Sequence, residues 1–284
     1  VNVTDKKLYT KNNSNAIVAL GADLTTNNPI GTDNVTLGAN AGAALTTDNT
    51  RNTLIGAEAG KSLDNSGGSQ LGIGNSHVAI GYKALETSVG GGGHVAIGTF
   101  ALQDSNAINF CTAVGWGAGM NCTTGGLSST FVGNSAGSGI TTGNQNTCIG
   151  YNAQPSSATT SYQFTLGSTD VQTLRCNQTS ITSLSDGRDK TDIIDTPYGL
   201  DFINTLQPRQ FKWETRDGNV KDGRVEQGFI AQELLEALDG KNDVLNLVLE
   251  DNPDRLEASA GNLVPVLVKA LQELTARVAE LENN

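Results

Sequence analysis

Apolar and polar positions along the first two thirds of the chain follow one short phrase: an apolar residue or Thr, any residue, an apolar residue, then Gly. It ends at Gly21, Gly38, Gly56, Gly81, Gly98, Gly115, Gly133, Gly150 and Gly167, with spacings of 17, 18, 25, 17, 17, 18, 17 and 17 residues. A weaker copy, "LGIG" ending at Gly74, splits the long interval into 18 and 7. Seven of the nine phrases continue as Gly-x-x-Ala, for example "GAEAG", "GTFAL" and "GNSAG". Each phrase has the alternation and β-branched content of a three- or four-residue strand, and its glycine allows a sharp bend where a Cβ would clash. Polar stretches such as "TTDNTRN" and "TTGNQNT" fill the intervals with turn-forming residues. One coil of this length carries too little apolar surface to fold alone, so coils must stack on one another or wrap with neighbouring chains. Nine coils at the strand spacing of about 4.8 Å predict a stack on the order of 40 Å long.

The position four before each glycine is occupied by Asn34, Asn52, His77, His94, Cys111, Ser129 and Asn146. In a stack these side chains form one polar ladder. Two readings stand for it: side chains that satisfy backbone groups at the turn, or a metal or anion held between His77 and His94, with six imidazoles if three chains meet. We expect the first and assign no metal and no cofactor.

From residue 185 the pattern changes to that of a small α+β domain. "TPYGLDFINTLQPRQFKW" predicts an amphipathic helix through Leu200, Ile203 and Leu206, stopped by Pro208, then a strand over Gln210 to Trp213. "GRVEQGFIAQELLEAL" predicts a strand leading into a helix with Ile230, Leu234 and Leu238 on one face. The last stretch sets Val264, Leu267, Leu271, Leu274, Val278 and Leu281 at spacings of 3, 4, 3, 4 and 3, a heptad seam. A seam of under three heptads is marginal as a free helix and must pack on something: its own domain or further helices in an oligomer.

Composition supports two unlike parts. Up to Leu184 there are 7 Lys+Arg and 9 Asp+Glu, a net charge of -2, and 27 of the 34 glycines; from Ser185 there are 11 and 20, a net charge of -9. The sum of -11 repels phosphate backbones and anionic membranes, so neither nucleic acid nor membrane insertion is expected as a partner. No apolar run reaches the roughly 18 to 20 residues of a membrane span. Residue 1 is Val, so the chain is expected to be a fragment or a processed product. Cys111, Cys122, Cys148 and Cys176 show no CxxC pair and are read as buried free thiols. Tyr82, Phe100, Trp116 and Tyr151 follow the repeat glycines by one or two residues, where they either stack on sugars or pack between coils.

The repeats, over roughly residues 16 to 167, resemble the glycine-rich repeats of phage tail fibres and of trimeric bacterial adhesin heads. That resemblance implies a mainly β trimeric fibre, a β-solenoid or interwoven β-helix, with 1–15 a connecting segment and 168–184 a linker. "SDGRDK" at 185 to 190, "LQPRQFKW" at 206 to 213, "GFIAQEL" at 228 to 234 and the closing "LVKALQEL" are more specific. Together they resemble the intramolecular chaperone domain of peptidase family S74 over residues 185–284. The resemblance implies a domain that trimerises, guides folding of the preceding fibre, and cuts itself off before its motif serine. Ser185 would be the nucleophile, Lys190 its general base, Leu184-Ser185 the scissile bond, and Asp186 a support for the loop or the oxyanion.

That chemistry is sensible for these residue types. A serine hydroxyl needs a base to take its proton, and lysine serves once burial favours the neutral amine. Both histidines lie far upstream, so Ser and Lys form the dyad available to the domain. Asp189, where the family usually has an apolar or neutral residue, adds a carboxylate that would hold Lys190 charged and slow the reaction.

The expectation is therefore a receptor-binding tail fibre or spike in a virion, assembled in the host cytoplasm. Its expected partners are two further copies of the chain, the rest of the tail, and a host surface glycan or protein. The alternatives are a glycan-degrading spike, and a trimeric adhesin head with an uncleaved trimerisation domain.

Overall fold

The computed structural model describes residues 34–46, 49–63, 76–88, 91–106, 109–123, 128–177, 181–216, 218 and 220–283, together with the backbone of 9–11 and 17–19. The chain divides into two compact units, Val1–Thr169 and Asp170–Asn284.

In the first unit, strands β1 (Tyr9–Lys11) and β2 (Ile17–Ala19) pair antiparallel. The phrase ending at Gly21 thus joins a hairpin and not the stack, which begins one phrase later. The copy ending at Gly74 lies outside the described residues. Eight three-residue strands follow: β3 (Val35–Leu37), β4 (Thr53–Ile55), β5 (Val78–Ile80), β6 (Val95–Ile97), β7 (Thr112–Val114), β8 (Thr130–Val132), β9 (Thr147–Ile149) and β10 (Phe164–Leu166). They form one parallel sheet in sequence order, each phrase aligned residue for residue with the next. This is a β-solenoid, one strand per coil.

The repeat glycine is required twice over. From Gly38 to Gly150 its φ lies between +118° and +140°, a region L side chains rarely adopt. A Cβ at Gly98 or Gly115 would also stand 2.3 Å from the carbonyl oxygen of the next repeat glycine. The glycines therefore stack backbone on backbone. Each opens a turn closed by the alanine three residues on, as in Ala59 N–H to Gly56 O at 3.2 Å and Ala101 N–H to Gly98 O at 3.2 Å. The third residue of the turn is left-handed even where it is not glycine, as at Glu58, Lys83 and Phe100. Hydrogen bonds between coils hold it there: Phe100 N–H donates to Tyr82 O at 3.0 Å and Leu102 N–H to Ala118 O at 2.9 Å.

The core is thin and compensated coil by coil. The middle residue of each strand points inward: Leu54, Ala79, Ala96, Ala113, Phe131 and Cys148 are fully buried, beside the turn alanines from Ala59 to Ala153. The coils of Ala79 and Ala96 place leucine four residues after the glycine, at Leu85 and Leu102, whereas the coil of Ala113 has Gly119 there. Those with Leu54 or Phe131 place Gly60 or Gly137 there, and an added Cβ would come within 2.9 Å of Leu54 and 2.2 Å of Phe131. The Ala113 layer is filled from its neighbours, since a Cβ at Gly119 would come within 2.6 Å of Phe131 and 2.8 Å of Leu102.

The polar ladder runs beside the sheet. Each side chain accepts the backbone N–H of the equivalent residue in the next coil. Asn34 Oδ1 accepts from Asn52 at 2.8 Å, Asn52 Oδ1 from His77 at 3.0 Å, His77 Nδ1 from His94 at 3.4 Å and His94 Nδ1 from Cys111 at 3.3 Å. Ser129 Oγ then accepts from Asn146 at 3.1 Å, and Asn146 Oδ1 from Gln163 at 2.9 Å. The two imidazoles stack with centroids 5.2 Å apart. Burial, aided by the neighbouring His94, pushes His77 down to about 3. Cys111, Cys122 and Cys148 are buried free thiols, pushed up to about 11, 12 and 11 by burial. Cys176, expected to be buried with them, is exposed.

In the second unit a short helix α1 (Leu200–Ile203) precedes the antiparallel pair β11 (Arg209–Lys212) and β12 (Val225–Gly228). Helices α2 (Ala231–Leu238) and α3 (Asn242–Leu245), the small pair β13 (Val248–Leu249) and β14 (Glu257–Ala258), and helix α4 (Val264–Glu282) complete it. Leu206, Leu234, Leu238, Leu247, Val248 and Leu263 make its core.

Two outcomes are expected. Gly115→Ala forces a disfavoured φ and a backbone clash, destabilising the chain by about 2 kcal/mol or more; Thr112→Ala, one strand position in the same coil, costs well under that in a denaturation midpoint. His77 titrates lower folded than unfolded, so the unfolded state binds more protons between pH about 3 and 6.5. Its contribution is complete above pH 6.5 and is lost as pH falls towards 3. His77→Asn keeps an acceptor in the ladder, and stability measured across this window becomes flatter.

Candidate functional site

Residues 181–186 run without regular structure and exposed up to a single 3-10 turn, Gly187–Asp189. Asp186 caps that turn: its Oδ1 accepts the Arg188 N–H at 2.9 Å. The Arg188 guanidinium then grips the same carboxylate, Nη2 to Oδ2 at 2.6 Å and Nε to both oxygens at 3.1 Å. These bonds hold the Asp186 carboxyl below its usual range. Lys190 closes the turn with its N–H on Gly187 O at 3.3 Å, and the chain doubles back. Its ammonium donates to Ser185 Oγ at 2.5 Å.

Ser185 and Lys190, five apart in sequence, are thus brought into direct contact by the turn between them. Asp186 is committed to Arg188 and so orders the loop. Among the described residues no ion pair joins Asp189 to Lys190. Asp followed by Gly is the usual signal of an Asx-capped turn, but nothing in that signal singles out Arg188. Both members of the dyad are exposed, and Leu184, on the other side of the candidate bond, is fully exposed.

The closing helix settles which way its seam faces within the unit. Leu263, Val266 and Ala270 pack inward, with Ala270 one turn from Glu273. The Glu273 carboxylate accepts the Leu200 N–H at 2.7 Å, tying α4 to the start of α1. Val264, Leu267, Leu271, Leu274, Val278 and Leu281 lie off that face, every one of them 45% or more exposed. Of the two alternatives for the seam, packing on the domain's own core is met by a different stripe of the same helix.

In the first unit His77 and His94 turn their Nδ1 atoms to backbone N–H groups, and no cluster of three or more metal-ligating side chains occurs among the described residues. Tyr82, Phe100 and Trp116 meet edge to face at 5.5 and 5.9 Å, packing along the stack while Tyr82 and Trp116 stay about half exposed. Tyr151 is mostly exposed.

The model of family Peptidase_S74, chaperone of endosialidase, matches residues 185–242. No curated protein and no solved structure matches the chain. The matched segment opens on Ser185 itself and carries the capped turn, α1, β11, β12 and α2. A chaperone-of-endosialidase segment placed after a β-solenoid fits the carboxy-terminal chaperone region of a phage tail fibre.

Substitution separates the two faces of α4. Val266→Asp buries a charge against the core and destabilises the second unit by several kcal/mol. Leu271→Asp, on the exposed seam, changes the stability of the monomeric unit by less than about 0.5 kcal/mol, and any larger loss in the intact protein is lost association. Hydrogen exchange at the α1 amides reads the difference.

Proposed function

We propose that this chain is the carboxy-terminal region of a phage tail fibre or spike whose second unit associates as a trimer through α4, guides folding of the solenoid, and then severs itself from it. The observation that carries this reading is the 2.5 Å contact between Lys190 Nζ and Ser185 Oγ at the first residue of the family match.

The cleavage step balances as an internal acyl shift followed by hydrolysis. Lys190, as neutral amine, takes the Ser185 hydroxyl proton while Oγ attacks the Leu184 carbonyl carbon. The tetrahedral centre collapses with loss of the peptide C–N bond, and the proton passes to the departing Ser185 amine. The resulting ester is hydrolysed by water to a Leu184 carboxylate and a free Ser185. Attack on the neighbouring carbonyl needs no binding step, so the effective-concentration advantage is built in and one turnover suffices.

Lysine acts as a base where desolvation favours its neutral form, and Lys190 is exposed in its own unit. The cover would come from the other copies once α4 associates, which makes cleavage a consequence of assembly. Burying the exposed part of each seam residue would contribute about 1 kcal/mol, about 6 kcal/mol per copy for six. Asp186, held by Arg188, keeps the loop in shape throughout. An exposed solenoid surface, with its half-exposed aromatics, would serve attachment to a host glycan or protein.

The test is intact mass under denaturing conditions on freshly expressed chain. The wild type yields fragments of 184 and 100 residues, whereas Ser185→Ala and Lys190→Met remain at 284. Leu271→Asp with Leu274→Asp stays uncleaved and monomeric by native mass. A wild type that remains whole while trimeric removes autoproteolysis and leaves the trimerisation domain as a permanent clamp.

A further inference from the structure

The middle residue of every strand from β3 to β10 faces the core or is half-buried, so the first and third residues face outward. The two outward columns differ in exposure as well as in composition: from β6 to β9 the first is half-buried and the third exposed. The first column holds Thr at Thr53, Thr112, Thr130 and Thr147, four of its eight positions. The third is Leu, Ile or Val at all eight, and Leu37, Ile97, Val114, Val132, Ile149 and Leu166 are each more than a third exposed. Strand propensity alone is satisfied by Thr, as the first column shows, and a solvated sheet face normally alternates to polar residues. The other four positions of the first column are Val35, Val78, Val95 and Phe164, so what sets the third column apart is that it is aliphatic without exception.

The columns stand about 7 Å apart and, over eight strands at about 4.8 Å, run roughly 34 Å. At the width of one side chain, about 6 Å, the third column by itself is an apolar stripe on the order of 200 Å², continuous over all eight strands. What covers it must present apolar groups at the same period along that whole length. A second copy of the chain has that period by construction. The first unit is also near neutral over its length, so copies meet without strong repulsion.

We propose that the third-position column is the face by which copies of the solenoid pack on one another, parallel and in register, with equivalent coils meeting about a common axis. This deepens the trimer reading above and rests on it for the number of copies. In a cyclic trimer with its axis along the stack, one straight column per copy faces both neighbours, and Val114 of each copy lies opposite Val114 of the others. The stripe on α4 and the column on the sheet then provide separate self-association surfaces, one in each unit.

The test is site-directed crosslinking of the full chain in a Cys176→Ser background. The remaining thiols at Cys111, Cys122 and Cys148 are buried with raised pKa values and stay unreactive while the chain is folded. Val114→Cys and, independently, Val132→Cys are treated with a short bismaleimide, beside Asn121→Cys as an exposed position off the strands. The expected result is covalent chain-to-chain dimers at least tenfold more abundant for the two column variants, with peptide mapping joining like residue to like. A chain that is trimeric by native mass but links at neither column position, or no better than Asn121→Cys, overturns the column while leaving the trimer. A monomeric wild type overturns both.

Discussion

The stacking of one glycine backbone on the next is the constraint from which the first unit follows. At repeat glycines such as Gly98 and Gly115 the coils approach so closely that no Cβ fits between them. That approach lets each turn donate its N–H groups to the adjacent coil instead of to water, and it fixes the side-chain ladder at the spacing where an Asn, His or Ser acceptor reaches the next backbone donor. The apolar core is small because backbone pairing has already been supplied; alanines and an alternation of Leu with Gly suffice to fill it.

Much of this was legible in the sequence, because a period of 17 or 18 residues with an invariant phrase leaves few ways to arrange short strands. The ladder position was visible for the same reason. What was not visible is instructive. The phrase ending at Gly21 follows the pattern of the others, but its first two residues, Val18 and Ala19, lie in β2 and pair with β1, since a terminal coil has a neighbour on one side only and a nearby strand competes for its edge. The left-handed turn residues Glu58, Lys83 and Phe100 carry no turn signature of their own; inter-coil hydrogen bonds impose the conformation on them. Cys176 was grouped with the buried thiols by residue type, whereas the other three are buried by their place in the coil.

In the second unit the motif and the helical seam could be read directly, and the structure adds what lies between them. Periodicity located the seam but could not say which stripe of α4 its own domain would take. The answer came from Val266 and Ala270, neither of which belongs to the heptad pattern, and from Glu273 reaching the start of α1 across 73 residues of sequence. The contact between Ser185 and Lys190 likewise depends on a residue no dyad argument requires, Arg188, which clamps the cap of the intervening turn. Dyad and seam share one property: each is left open by its own unit.

The volume alternation in the solenoid core has a bearing on how such a stack assembles without error. A perfectly uniform repeat would pair equally well one coil out of step, because every strand would accept every other. Here Phe131 fills space that Gly137 and Gly119 leave vacant, and Leu102 reaches the same hollow at Gly119 from the other side. A coil displaced by one layer would set Phe131 against a leucine or open an empty gap. The succession of large and small residues therefore works as a combination lock, in which only one alignment of eight near-identical strands lets the core close.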